Sequence, residues 1–222
     1  MLCTRCGKRP AVVFVSNNNS KDAPTAGYCL TCAKELGINC YSREILRMAS
    51  EESGINERLF GMSDEKMKGA GWFKILSRPY DGELLPPEDK DFVSEENIFN
   101  YQAKIIKDLA EKESCVIVGR CADAILKDDP DCIGIFLSAP LKTRIQTVMK
   151  RYGLDEKAAK RRIEQTDRRR ADNYRYYTRR IWGMSGNYQM CIDTSLGEDY
   201  VLNTVLDLVK NVNRHVSESR AE

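Results

Sequence analysis

Three short strand-like segments in the second half of the chain, the first two with continuous apolar runs, limit the fold more than any other feature. The segments are residues 114–120 (SCVIVGR), 132–140 (CIGIFLSAP) and 188–195 (YQMCIDTS). The first two are too short for a helix and apolar on both faces, as a strand buried between two layers must be. Helical patterns separate them. The sequence therefore predicts an α/β fold, a parallel sheet with helices on both faces and ligands at the carboxyl ends of its strands.

The first half of the chain is more mixed. Residues 43–55 and 95–112 carry apolar side chains at helical spacing, and NCYS at 39–42 is consistent with a short strand. Residues 56–94 contain three prolines and several glycines, and this composition predicts an irregular connection.

The charge of the chain is concentrated in one basic helical segment, residues 157–182. It holds ten Lys and Arg against three acids, a net charge of +7, whereas the whole chain carries +2. Guanidinium groups match phosphate oxygens in pairs, so phosphate is the ligand that this segment favours. A solvated basic helix and a surface for nucleic acid stay open as alternatives.

No apolar run approaches the roughly 20 residues that span a bilayer, and the N-terminus has no apolar signal segment. We therefore expect a cytoplasmic protein without a membrane partner. Its nine cysteines are then expected to stay reduced, and clustered cysteines indicate a metal site in such a chain.

Four cysteines form two C-x-x-C pairs near the N-terminus: Cys3 with Cys6, and Cys29 with Cys32. Two such pairs supply the four thiolates of a tetrahedral structural zinc site, with the intervening residues as a strand, a polar turn and a return. A redox dithiol or unrelated core cysteines are the alternatives. The segments CTRCGKRPAVVFV and YCLTCAKELGI resemble the zinc ribbons of bacterial Clp-type chaperone regulators. We expect a zinc ribbon module over residues 1–38.

The remainder, residues 39–222, resembles the cytidylate kinase-like family of nucleoside monophosphate kinases. The resemblance rests on KELGINCYSREILRMASEESG, VGRCADAIL, IFLSAP, DRRRADNYRYYTRRIWG and a strand ending IDTS, and covers about residues 33–210. It implies a kinase of the P-loop type, with phosphoryl transfer from ATP and Mg²⁺ to a nucleoside monophosphate, typically CMP.

The resemblance also implies an acceptor site after the strand SCVIV. Gly119 and Arg120 match the family's GR, whose arginine grips the acceptor phosphate, and Asp123 is expected near the acceptor. Arg144, on the helix that follows the strand CIGIFLSAP, is a further substrate-binding candidate. Cys121 stands where cytidylate kinases proper carry Asp, which leaves the specificity for cytosine open.

A second set of implied residues lies in the basic segment. Asp167, Arg168 and Arg170 match the D-R-x-R of the family's lid, whose arginines close over the transferring phosphoryl group. Asp167 is expected either to orient these arginines or to form a surface i,i+3 pair with Arg170. The nearby Tyr174, Tyr176, Tyr177 and Trp182 are expected to pack the lid and not to stack on a base.

The glycine-rich phosphate loop of such kinases has no match in this sequence. Gly7-Lys8 lacks the earlier glycine, and the glycines at 69 and 71 have no Lys-Ser/Thr after them. We therefore expect the zinc ribbon to replace the first strand and the loop, and kinase activity to be weak or absent.

Two interpretations of function remain open from the sequence. One is a nucleoside monophosphate kinase that uses ATP. The other is a non-catalytic zinc-ribbon protein on a kinase-derived scaffold, with a nucleotide, nucleic acid or a protein as its partner. The sequence does not decide whether the chain is an enzyme.

Overall fold

The computed structural model describes residues 12–16, 24–65 and 82–218. Strands and helices alternate along these ranges. In chain order they are β1 (Val12–Ser16), α1 (Pro24–Leu36), β2 (Asn39–Tyr41), α2 (Glu44–Ser53), α3 (Glu57–Glu65), α4 (Glu95–Lys112), β3 (Cys115–Val118), α5 (Ala122–Ile125), β4 (Ile133–Ser138), α6 (Leu141–Tyr152), α7 (Glu156–Thr178), β5 (Met190–Asp193) and α8 (Glu198–Glu218).

The five described strands form one parallel sheet in the order β2-β3-β1-β4-β5. The predicted parallel α/β fold is confirmed. All strands point the same way, so their carboxyl ends share one edge, and the turns that follow β2 and β3 come together there.

The expectation that the first strand is missing is wrong. β1 is the central strand, paired on one side with β3 and on the other with β4. Its sequence, VVFVS, is the same kind of short apolar run as β3 and β4. The sequence interpretation assigned it to a zinc ribbon because it lies between two C-x-x-C pairs. Residues 17–23, which connect β1 to α1, are outside the described ranges.

The sheet is covered on both faces. On one face, α2 and α4 supply the core residues Ile45, Leu46, Ala49, Ile98, Ile105, Ile106 and Leu109. On the other face, α1 and α8 supply Cys29, Cys32, Ala33, Val201, Val205 and Val209. This two-sided burial explains why β3 and β4 are apolar along their whole length.

Of the four cysteines predicted to ligate zinc, the structure describes one pair and not the other. Cys29 and Cys32 are inside α1, 0% and 1% exposed, where a spacing of three places both on the face packed against the sheet. The predicted return strand and cysteine turn are therefore wrong for this pair. Cys3 and Cys6 are outside the described ranges, and a zinc module formed by the first residues stays a prediction.

Helices α6 and α7 form a hairpin with a small apolar cluster of its own. Ile145 on α6 packs with Ala159 and Ile163 on α7, apart from the two main cores. Gly153 ends α6 in the left-handed conformation, and the side chain of Asp155 caps α7 by accepting from the Ala158 N–H at 2.7 Å. The hairpin is thus a semi-independent unit beside the sheet.

The region predicted to be irregular, residues 56–94, contains α3, so that prediction is wrong for residues 57–65. Residues 66–81 are outside the described ranges. Along the part of the chain that is described, none of the helices combines the length and the apolar character that crossing a membrane requires.

Candidate anion-binding site

The turn after β3 has an unusual backbone. Gly119, Arg120 and Cys121 follow one another with φ of 74°, 61° and 56°, all left-handed. Only glycine adopts this region freely, and each other residue held there costs of the order of 1–3 kcal/mol. Such strain is maintained where the surroundings fix it, and it commonly marks a functional turn.

The Arg120 side chain lies across the carboxyl ends of two neighbouring strands. Its Nε donates to the Ser42 carbonyl, just after β2, at 3.3 Å, and its Nη1 donates to Gln102 Oε1 on α4 at 3.4 Å. Arg120 is half-buried and Gln102 is buried. The guanidinium is therefore held at the edge of the sheet where open α/β folds bind ligands.

Asp123, predicted to stand near the acceptor, lies three residues after Arg120, and that role stays a prediction. Asp123 is 5% exposed, and its Oδ2 accepts from the Tyr174 hydroxyl on α7 at 2.6 Å. Burial raises the pKa of Asp123, and the Tyr174 hydrogen bond and the Arg180 charge oppose that effect only in part. The carboxyl group thus holds a helix against the Arg120 turn.

Arg144 and Asp167 form an ion pair between α6 and α7. Arg144 Nη2 and Asp167 Oδ1 are 2.7 Å apart, with side-chain exposures of 9% and 27%. The sequence interpretation placed Arg144 with the substrate and Asp167 with the arginines of its own helix. The structure brings these two residues together, whereas the i,i+3 pair of Asp167 with Arg170 stays a prediction.

The arginines of α7 point in different directions. Arg168 is exposed, whereas Arg169 and Arg170 are half-buried, and Arg170 lies over the Trp182 ring at 5.9 Å. Two residues along a helix turn the side chain by roughly 200°, so Arg168 and Arg170 lie on opposite faces. Arg168 and Arg170 therefore leave α7 in different directions, and their joint role at one phosphoryl group stays a prediction.

Several polar groups of this region are shielded from solvent without a hydrogen-bond partner among the described residues. They are Arg144 Nε, Arg169 Nε, Arg180 Nη1, Asn173 Oδ1 and Asp123 Oδ1. A shielded guanidinium N–H without an acceptor is costly, and an anion removes that cost. Three arginines with such groups fit a negatively charged ligand better than a neutral one.

Three tyrosines attach the end of α7 to the rest of the protein. Tyr176 donates to Glu96 Oε1, and the ring of Tyr177 stacks on Phe99 with centroids 4.0 Å apart. Tyr174, the third, binds Asp123. The predicted packing role of these tyrosines is confirmed, since their partners belong to α4 and α5.

Metal ligands are not gathered within the described residues, where no group of three or more His, Cys, Asp or Glu is placed to hold an ion. Cys29 and Cys32 do not fit a zinc site by themselves, because both thiols face the core from one helix. Zinc and Mg²⁺ both stay untested predictions.

The model of the cytidylate kinase-like family matches residues 29–196, about three quarters of the chain. The chain belongs to this family. The match includes β2 to β5, the Arg120 turn and the whole α6–α7 hairpin, so the family's sequence pattern covers the candidate site described above. Among curated proteins, no match to the sequence was found.

Solved structures share the fold. An uncharacterised protein from Eubacterium ventriosum ATCC 27560 is 25% identical, with a TM-score of 0.65 over 91% of this chain and 99% of that one. A gluconokinase from Sinorhizobium meliloti 1021 is 11% identical, with a TM-score of 0.53 over 95% and 97%. A shikimate kinase from Bacteroides thetaiotaomicron is 10% identical, with a TM-score of 0.50 over 90% and 98%. The fold of this family member is thus that of small-molecule kinases.

Sequence analysis missed three features of the site: Arg169, Asn173 and the Tyr174–Asp123 hydrogen bond. The first two were within reach, because helical spacing places Arg169 and Asn173 on the side of α7 that carries Tyr177. The third joins residues 51 positions apart, and no local pattern indicates such a contact.

Proposed function

We propose that this protein transfers a phosphoryl group from ATP to a nucleoside monophosphate, with CMP as the first acceptor to test. Arg120 carries the proposal. Its guanidinium is fixed by a strained turn at the carboxyl ends of β2 and β3, within a chain of the cytidylate kinase-like family. In this proposal Arg120 binds the acceptor phosphate with two parallel N–H donors.

The arginines of the hairpin would act on the transferring group. Phosphoryl transfer needs positioning and positive charge around the equatorial oxygens more than covalent help. Arg169 and Arg144 each have an N–H that is shielded from water and has no acceptor among the described residues, which suits a phosphate oxygen. Mg²⁺, when bound with ATP, would neutralise charge between the phosphates. Asp167 holds Arg144 in place for this role.

In this proposal the donor phosphates are expected between β1 and α1. β1 is present and α1 follows it, which is the order of elements around a phosphate loop. The seven residues between them, NNNSKDA, include Ser20 and Lys21 but no glycine. Glycine lets the backbone approach phosphates closely, so we expect slow turnover compared with kinases that carry the full motif.

A phosphotransfer assay tests the proposal. The full-length protein is incubated with ATP and Mg²⁺ and, in turn, CMP, dCMP, UMP, AMP, gluconate and shikimate, and ADP and the phosphorylated product are measured. CMP-dependent formation of ADP and CDP is expected. If no monophosphate yields product above a blank without protein, the kinase proposal is wrong.

Two variants make the assay specific for the site. Arg120→Gln is expected to lower kcat/KM about 10- to 150-fold, the range that follows from roughly 1.5–3 kcal/mol for a charged hydrogen bond. Arg168→Gln is the matched control, because Arg168 is an exposed arginine of the same basic segment. Equal effects of the two substitutions would mean that general positive charge, and not the Arg120 turn, supports activity.

A second candidate function is non-catalytic binding of nucleic acid. The exposed residues of α7 include five basic side chains, Lys157, Lys160, Arg161, Arg168 and Arg175, and three acids, Glu156, Glu164 and Asp172. Binding through such a face would weaken steeply with salt and hardly depend on sequence. Affinity for a generic RNA that falls at least tenfold between 50 and 200 mM salt, without phosphotransfer, would favour this function.

A further inference from the structure

One hydrogen bond joins the α6–α7 hairpin to the turn that carries Arg120. Tyr174 on α7 donates from its hydroxyl to Asp123 Oδ2 at 2.6 Å, and the two residues are 3% and 5% exposed. Asp123 follows Arg120 by three residues. The hydrogen bond is therefore protected from water and lies directly behind the candidate acceptor arginine.

For coupling between the hairpin and Arg120, a movement of Asp123 has to move Arg120 through the turn between them. The Ala122 N–H donates to the Gly119 carbonyl at 3.1 Å, and the Ala124 N–H donates to the Cys121 carbonyl at 2.9 Å. The left-handed backbone between these bonds has few alternative conformations. We therefore expect a displacement of the Asp123 backbone to move Arg120.

On the side of the hairpin, α7 is a continuous helix from Glu156 to Thr178. The Arg144–Asp167 pair lies on it seven residues before Tyr174, about 10 Å along the helix axis. An anion that binds against Arg144 or Arg169 and shifts or tightens the hairpin would therefore act on Tyr174 through the helix itself.

We propose that Tyr174 and Asp123 are positioning residues that couple the anion site of the hairpin to Arg120. This inference rests on the proposed function, since it takes ATP as the ligand of the hairpin and a nucleoside monophosphate as the ligand of Arg120. Neither residue contacts a substrate; both act through the turn. Binding of one phosphate ligand then raises the affinity for the other, and the effect is reciprocal.

The first experiment measures coupling. The dissociation constant of CMP is measured calorimetrically without and with a saturating non-hydrolysable ATP analogue and Mg²⁺. In the wild-type protein the analogue is expected to tighten CMP binding by a factor in the usual range of about 5 to 150. In Tyr174→Phe, which loses only the hydroxyl, this factor is expected to fall close to one.

Tyr176→Phe is the matched control. Tyr176 lies on the same helix, and its hydroxyl donates to Glu96 on α4, not to the turn. The coupling factor of this variant is expected to stay at the wild-type value. A wild-type factor in Tyr174→Phe would overturn the inference, and so would an equal loss of coupling in both variants.

Asp123 provides a second pair of variants. Asp123→Asn keeps an oxygen that can accept from Tyr174, so coupling is expected to persist, whereas Asp123→Ala removes the acceptor and coupling should be lost. If Asp123 had a purely structural role, the coupling factor would not differ between Asp123→Asn and Asp123→Ala. Loss of coupling in Asp123→Asn at full thermal stability would contradict the mechanism.

Hydrogen exchange tests the same link without any nucleotide. The amides of residues 119–126 are expected to exchange at least tenfold faster in Tyr174→Phe than in the wild type, and to be unchanged in Tyr176→Phe. If the wild-type protein binds no nucleotide, the proposed function fails, yet exchange still decides the link. Equal protection of the turn in the wild type and in Tyr174→Phe overturns it.

Discussion

Arg144 on α6 and Asp167 on α7 approach to 2.7 Å and form an ion pair in which the arginine side chain is 9% exposed. This pair closes the hairpin near the middle of the basic segment. An arginine that the sequence alone assigned to substrate or surface is thus also a structural partner of the lid aspartate. The Nε of Arg144 is shielded and has no acceptor in the part of the chain that the structure describes.

Breaking this pair should destabilise the protein. Removing one partner of a buried pair costs about 3–5 kcal/mol, and the partial exposure of Asp167 reduces that figure. We expect Asp167→Ala to lower the free energy of unfolding by roughly 1–3 kcal/mol in urea titrations. Asp172→Ala, an exposed acid on the same helix, is the control and should change it by less than about 0.5 kcal/mol. Equal effects of the two substitutions would show that the pair contributes nothing specific.

Arg168 and Arg169 should differ in their effect on phosphotransfer. Arg168 is exposed, so Arg168→Gln is expected to leave kcat within about threefold, because a solvent-screened charge contributes little. Arg169→Gln removes a shielded donor and should lower kcat at least tenfold, about 1.4 kcal/mol. The comparison is made at saturating CMP. A larger loss of kcat in Arg168→Gln would support the catalytic role that the sequence motif assigns to Arg168.

Asp123 should make stability depend on pH. Burial raises its pKa in the folded protein, so its neutral form is favoured there. The stability that this group contributes is complete below its unfolded pKa, about 3.9, and is lost as pH rises through the folded pKa. Asp123→Asn cannot ionise and avoids that loss. Its free energy of unfolding relative to the wild type should therefore increase between pH 4 and pH 7.

The matched variant for this measurement is Asp172→Asn, whose side chain is exposed. Its free energy relative to the wild type should stay flat over the same pH interval. A relative stability of Asp123→Asn that falls towards pH 7 would mean that Arg180 and Tyr174 outweigh burial and stabilise the carboxylate.

Metal analysis tests whether Cys29 is a zinc ligand or only a residue of the core. Cys29 is in the core on α1, so Cys29→Ala should lose some packing but leave the zinc content per chain unchanged. Cys115→Ala, which removes a buried thiol on β3, is the control for packing loss. Stoichiometric zinc that disappears only in Cys29→Ala would support the four-cysteine site predicted from the sequence.

Much of the fold could be predicted because its signals are local. The apolar runs of β3 and β4, which are buried on both faces, and the alternation of strands with helices can be read from short windows. β1 carries the same signal. It was misassigned because the flanking C-x-x-C pairs also have a local interpretation, and a helix with cysteines at i and i+3 satisfies that spacing equally well.

The site was less predictable because its chemistry depends on direction and on distant partners. The motif D-R-R-R names the arginines of α7 but not which of them faces inward. The ion pair of Arg144 with Asp167 joins residues that are 23 positions apart in the sequence, and the hydrogen bond of Tyr174 with Asp123 joins residues 51 positions apart. The left-handed turn of Arg120 has no signal in the sequence beyond the preceding glycine.

The most direct test of the account is calorimetric titration of the wild-type protein and Arg120→Gln with CMP and with cytidine. If the Arg120 turn binds the acceptor phosphate, the wild type should bind CMP at least tenfold more tightly than cytidine. Arg120→Gln should lose most of that difference while its affinity for cytidine stays the same. An equal preference for CMP in both proteins would contradict the account, because the phosphate would then be held elsewhere.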